Sequence, residues 1–170
     1  MNVYAERLGM TNTNFVNSSG WPDDNHYSSV KDIAILSNAI IRDFPDLYTY
    51  FKMEEFTYND ITQPNRNKLL YQVQGADGLK TGFTKESGWG IAATALRNDR
   101  RITVVINGTN SSRSRLNESS NLINWAFNQT SQQTLVEKDQ FIKEVDVWLG
   151  SESSINLISA QKLVSTLSFD

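Results

Sequence analysis

Two spacings of apolar residues alternate along the chain, and each predicts an element type. In SSVKDIAILSNAIIRDF, Ile33, Leu36, Ile40 and Phe44 recur at helical spacing on one face. Ser29 caps the first turn with Asp32 three residues on, and Pro45 stops the helix. The same period returns in SSRSRLNESSNLINWAFNQ through Leu116, Leu122, Ile123 and Ala126, with Ser111 or Ser112 as the cap. MNVYAERLGM reads as the last turns of another helix, with apolar Val3, Tyr4 and Leu8 and a terminating Gly9. A helix that starts at the first residue reads as truncated.

From Glu54 the period shortens to short β-like runs, EEFTYND, GLKTGFT, WGIAATALR and RITVVING, and the last two form a predicted hairpin about Asn98-Asp99. The Asn-, Ser- and Gly-rich TNTNFVNSSGWPDDNHY reads as a long surface loop. Helix, strands and helix in that order predict an α+β fold, not alternating parallel units. After about Gln129, TLVEKDQFIKEVDVWLG alternates Val145, Val147 and Leu149 with polar neighbours, as a half-buried strand does. Residues 130–170 are too few for an independent core. The expected organisation is one domain over 1–129 and the beginning of a β-rich domain over 130–170.

Composition narrows the chemistry. The 170 residues are 39% hydrophobic and 11% aromatic with a formal charge of -3, which suits a folded domain and gives no general attraction to nucleic acid. No apolar run approaches the roughly 20 residues of a membrane span, and the Met1 end has no signal-peptide pattern. With no cysteine there is no disulfide or thiolate chemistry, and this leaves the compartment open. The lone His26 has no second ligand beside it, so neither a metal nor another cofactor is expected.

The stretch GADGLKTGFTKESGWG carries the candidate chemistry. It is not a phosphate loop, because Leu79 separates Gly78 from Lys80 and the lysine lies in a β-like run, not at a helix start. It fits the K-T-G strand of serine acyl-transfer enzymes that act on penicillins or D-alanyl peptides. In such a strand the Lys80 ammonium makes the pocket electropositive, and the Thr81 hydroxyl can donate to a substrate carboxylate. Gly82 places no Cβ in the path of an approaching backbone. An extended peptide can add to the strand edge, and the Phe83 N–H can point at the carbonyl under attack.

The segments MNVYAERLGMTNTNFVNSSGW, YSSVKDIAILSNAIIRDFPDLY, EFTYNDITQPNRNKLLYQVQGADGLKTGFT, GWGIAATALRNDRRITVVING and SSRSRLNESSNLINWAF together resemble, in order, the low-molecular-weight penicillin-binding proteins that are D-alanyl-D-alanine carboxypeptidases, serine peptidase family S11. The resemblance covers nearly residues 1 to 129 and weakens to 170. It implies a β-lactamase/DD-peptidase-like antiparallel sheet with packed helices, and peptidoglycan peptides ending in D-Ala-D-Ala and β-lactam antibiotics as ligands. Lys80, Thr81 and Gly82 match the family's third active-site motif. Phe83 stands at its backbone oxyanion donor, where many members have histidine. Arg115 matches the arginine that helps hold the substrate carboxylate, and Arg66 in NRNKLL matches another near the cleft. Arg113 and a structural ion pair at Arg66 are the competing assignments.

The family also uses S-x-x-K, which supplies nucleophile and base, and S-x-N. Ser28 to Lys31 fits the first pattern but matches a non-catalytic family stretch. Ser119 to Asn121 and Ser154 to Asn156 fit the second but follow K-T-G, the wrong order. The resemblance thus enters the family after both motifs, the nucleophile is expected to be absent from this chain, and a chain supplying it is an expected partner. The implied parent is a periplasmic, envelope-associated serine carboxypeptidase. A non-catalytic peptide-binding module is the alternative. A β-lactamase is less favoured, because NRNKLL, DGLKTGFT and the β segment after 129 belong to the carboxypeptidases.

Overall fold

A computed structural model describes residues 1–169. The chain divides into two compact units, Met1–Asn124 and Trp125 onward.

The first unit is built on a three-stranded antiparallel sheet in the order β3-β4-β5, with β3 (Ala76–Thr84), β4 (Gly88–Arg97) and β5 (Arg100–Thr109). β4 is central and the most apolar, with Ile91, Ala93 and Ala95 buried. The β4–β5 hairpin closes through Asn98 and Asp99, both at positive φ as a two-residue primed turn requires. Asn59 and Asp60 repeat the device between β1 (Glu55–Tyr58) and β2 (Ile61–Pro64). The β2 partner was not expected from EEFTYND alone.

Helix α2 (Val30–Asp43) packs on β5, and the Ser29 hydroxyl accepts the Asp32 N–H at 3.1 Å as its cap. Its predicted apolar face is only partly covered. Ile33, Leu36 and Ile40 are half-buried and Phe44 is exposed, while Asp32, Ser37 and Ala39 are the buried residues. Pro45 ends α2 and at once starts the short α3 (Pro45–Tyr48), whose first position suits proline. A 3₁₀ turn (Thr49–Lys52) follows and packs on β3. The short α4 (Leu69–Gln72) precedes that strand.

In α1 (Asn2–Arg7), Val3 and Tyr4 are exposed instead of apolar contacts, and Ala5 is the buried residue. Gly9 has φ +78 past its end, the conformation glycine tolerates best. In α5 (Ser112–Gln129), Ser111 is the cap, accepting the Ser114 N–H at 3.0 Å. Leu122 is exposed, contrary to the predicted stripe. The buried line is Arg115, Ser119 and Ile123, one residue per turn and largely polar.

The second unit pairs β6 (Thr130–Val136) with β9 (Leu163–Ser168), and β7 (Phe141–Asp146) with β8 (Ser154–Ile158). It is β-rich, as expected from the pattern. The predicted alternation is cut short, however: β7 ends at Asp146, and Leu149 lies beyond it at φ 59 and is exposed.

Candidate active site

An open cleft of about 1070 Å³ lies in the first unit, and Arg66, Lys80, Thr81, Gly82, Phe83 and Arg115 all line it. Six residues drawn from the sequence thus meet at one surface. β3 supplies four of them and is an edge strand of its sheet, so one side of its backbone is not paired by β4. A Cβ added at Gly82 would meet no atom within 4 Å, so the bare backbone there faces open space. Lys80 is exposed, and its Nζ donates to the Thr81 carbonyl. Phe83 is 53% exposed.

Arg115 is the unusual member. It is 7% exposed and sits in the opening turn of α5, where the helix dipole disfavours a cation. Its Nη1 donates to the carbonyls of Gly82 at 3.2 Å and Gly90 at 3.5 Å. It makes no ion pair among the described residues, and burial pushes its pKa down. An uncompensated buried cation is costly unless something anionic shares the site. Thr81 and Arg115 also line a recess of about 10 Å³ with Asn67, Lys68, Ile91, Ser112 and Leu116. That is room for one water-sized group, or one carboxylate oxygen. Arg113 is not among the residues lining either cavity. Arg66 is exposed at the cleft and forms no ion pair among the described residues, which leaves no support for the structural alternative.

The loop before α2 forms another part of the cleft, through Asn17, Ser18, Ser19, Gly20, His26 and Ser28. Its Asn-, Ser- and Gly-rich sequence marks it as a surface loop and carries no motif that would assign it to the site. Asn17 Oδ1 accepts the N–H groups of Gly20 and Trp21 at 2.9 and 3.1 Å, making a local turn. The loop is tied to α2 through Asp32, whose Oδ2 accepts the Asn12 N–H and the Thr13 hydroxyl, both at 2.7 Å. Burial works against that carboxylate, but these hydrogen bonds keep its pKa below the ordinary value. His26 Nδ1 accepts the N–H groups of Val16 and Asn17 at 3.3 and 3.4 Å, and its ring meets Phe15 edge-on.

The serines that fit the missing motifs are otherwise engaged. Ser28 reaches the cleft but shares a 2.7 Å hydrogen bond with Thr13. Ser119 is fully buried and donates to the Arg115 carbonyl at 2.7 Å. Ser154 donates to Glu144 in the second unit.

Behind the K-T-G residues lies a polar cluster that no spacing rule revealed. A β-bulge between Ala76 and Gly78 frees Asp77 from the β3–β4 register. Its carboxylate takes a bidentate pair of bonds from Arg101, at 2.7 and 2.8 Å, and the hydroxyls of Thr94 and Tyr48 donate to it at 2.8 and 2.9 Å. Burial alone would raise the Asp77 pKa, yet these donors hold it below the ordinary value. Burial pushes the Tyr48 hydroxyl up to about 12. A Cβ at Gly78 would stand 2.5 Å from the Tyr48 hydroxyl, so glycine is needed for this approach. The four residues come from four elements, so no single stretch of sequence shows the cluster.

Residues 1–110 match the family model described as D-alanyl-D-alanine carboxypeptidase. The chain is 39% identical over 158 residues to the D-alanyl-D-alanine carboxypeptidase DacC of Escherichia coli, covering 92% of this chain and 40% of that protein. The crystal structure of penicillin binding protein 5 from Haemophilus influenzae matches it with a TM-score of 0.88 and 35% identity, over 99% of this chain and 49% of that one. Penicillin-binding protein D2 from Listeria monocytogenes, in its ampicillin-bound form, matches with a TM-score of 0.70 and 31% identity, over 75% and 54%. Antiparallel sheet, packed helices and β-rich end are thus those of the penicillin-binding proteins. The chain belongs to the D-alanyl-D-alanine carboxypeptidase family. It spans about 40% of the length of the curated relatives it matches.

Proposed function

We propose that this chain carries the substrate-binding wall of a serine-type D-Ala-D-Ala carboxypeptidase, a hydrolase that trims peptidoglycan stem peptides through an acyl-serine. The observation that carries the reading is Arg115: a nearly buried cation without an anionic partner among the described residues, bonded to the Gly82 carbonyl of the K-T-G strand and sharing a recess with Thr81. A terminal carboxylate placed there would complete it, accepting from the Thr81 hydroxyl and the guanidinium. Lys80 raises the potential of the cleft for an anionic ligand. The peptide would lie along the edge of β3, with the Phe83 N–H directed at the carbonyl oxygen of the penultimate residue. Arg66 adds positive charge at the open side.

No serine here takes the nucleophile's place in this reading, so these residues bind, orient and polarise while the attacking hydroxyl comes from elsewhere. On its own the chain is then a binder without turnover, since donors and binding alone leave only a small residue of the catalysis. The same reading gives β-lactams as ligands and places the parent enzyme in the periplasm, where its substrate is.

A fluorescent penicillin tests the reading directly. The isolated chain should show no stable covalent label after denaturing electrophoresis. A stoichiometric adduct would overturn the assignment, and one mapped to Ser28 would identify the nucleophile within this cleft.

A further inference from the structure

Trp89 lines the cleft, and neither the K-T-G motif nor the carboxylate recess assigns it a part. It faces Phe83 across the β3–β4 pairing and Thr109 across the β4–β5 pairing. The Thr109 hydroxyl donates to its carbonyl at 2.9 Å, which fixes its backbone from the β5 side. Its ring meets two cleft residues at once. The Phe83 ring centroid lies 4.4 Å away at an interplanar angle of 36°, and the Arg115 Cζ lies 5.3 Å from the Trp89 centroid.

Arg115 needs such a neighbour. The carbonyl bonds are made by Nη1 alone, and neither acceptor carries a formal negative charge to offset the cation. A tryptophan face supplies the missing negative potential without competing for N–H donors, so the other nitrogens stay available for a planar anion. A carboxylate in that position would neutralise the cation and close the site to an incoming acid.

We propose that Trp89 is a positioning residue: its indole face keeps the Arg115 guanidinium oriented toward the recess shared with Thr81 and, through Phe83, steadies the end of β3 beside it. The proposal rests on the reading of this recess as a carboxylate site. It makes Trp89 a determinant of selectivity for ligands with a free C-terminal carboxylate.

The test replaces Trp89 in the full chain with mono-, di- and trifluorinated tryptophans by site-directed incorporation, with Trp89→Leu alongside. Fluorine drains the ring's negative face while nearly keeping its shape, so the series does not depend on the leucine variant folding. The first readout needs no ligand: hydrogen exchange at the Arg115 Nε–H, followed by NMR. It should quicken stepwise with fluorination, by about three- to tenfold across the series. The second readout is the affinity for N-acetyl-L-Lys-D-Ala-D-Ala and for its C-terminal amide. The acid should weaken in step with the exchange series and the amide should not.

A flat exchange series overturns the proposal, even if Trp89→Leu quickens exchange, because that pattern describes a packing residue only. A wild-type chain that does not prefer the acid overturns the functional reading instead, and the exchange series still decides the role of Trp89.

Discussion

At the residue scale the central question is what Arg115 and Thr81 hold in common. If both bind one carboxylate, each contributes a charge-linked hydrogen bond of about 1.5–3 kcal/mol, or ten- to more than a hundredfold in kcat/KM. In a full-length carboxypeptidase containing this segment, Thr81→Val and Arg115→Ala should each lower kcat/KM on an acid substrate by such a factor. The double variant should lose less than the sum, because one ligand group is shared. An amide substrate should barely respond, whereas Lys80→Ala should harm both substrates through the potential of the whole cleft. Equal losses on acid and amide for Arg115→Ala would make it a structural arginine. Lys80 to Phe83 were legible because the motif is contiguous, and Arg115 and Arg66 because a family resemblance placed them. Trp89 was not, since its role depends on partners brought by the register of β3 and by the opening turn of α5.

At the element scale, the Asp77 cluster shows what spacing cannot reveal. Tyr48 from α3, Asp77 from β3, Thr94 from β4 and Arg101 from β5 converge although up to 53 residues separate them. Asp77 stands three residues before Lys80 on the same strand, so the cluster anchors the strand that carries the motif. Asp77→Asn should destabilise the protein by about 1–3 kcal/mol, because it leaves the half-buried Arg101 without its counter-charge. Denaturant unfolding at neutral pH measures this. The pH dependence has a definite sign. The folded-state pKa of Asp77 is depressed, so its contribution is complete above the unfolded value of roughly 3.9 and is lost as pH falls through the folded value. The gap between wild type and Asp77→Asn should therefore narrow below about pH 4. A constant gap would show that the carboxylate charge is not what stabilises the cluster. Hairpins were the most legible elements, since Asn98-Asp99 states its turn chemistry locally. Helix faces were less so: burial of Asp32 on α2 and of Arg115 and Ser119 on α5 serves the loop and the cleft, and an apolar-period rule does not look for polar burial.

At the scale of the whole molecule, helices flanking an antiparallel sheet and then a β-rich end were readable from the change of period along the chain. The order and register that put β3 at a sheet edge were not, because they depend on non-local pairing. That edge position turns a motif into a surface a peptide can join. On the proposed function, this edge and the Thr81–Arg115 recess bind the free carboxylate of a D-Ala-D-Ala peptide. The most direct measurement is an NMR titration of the ¹⁵N-labelled chain with N-acetyl-L-Lys-D-Ala-D-Ala and with its C-terminal amide. Saturable shifts are expected at the amides of Lys80 to Phe83 and at the Arg115 Nε–H, at least about tenfold tighter for the acid than for the amide. Equal affinity for the two peptides, or shifts confined to residues outside the cleft, would contradict it.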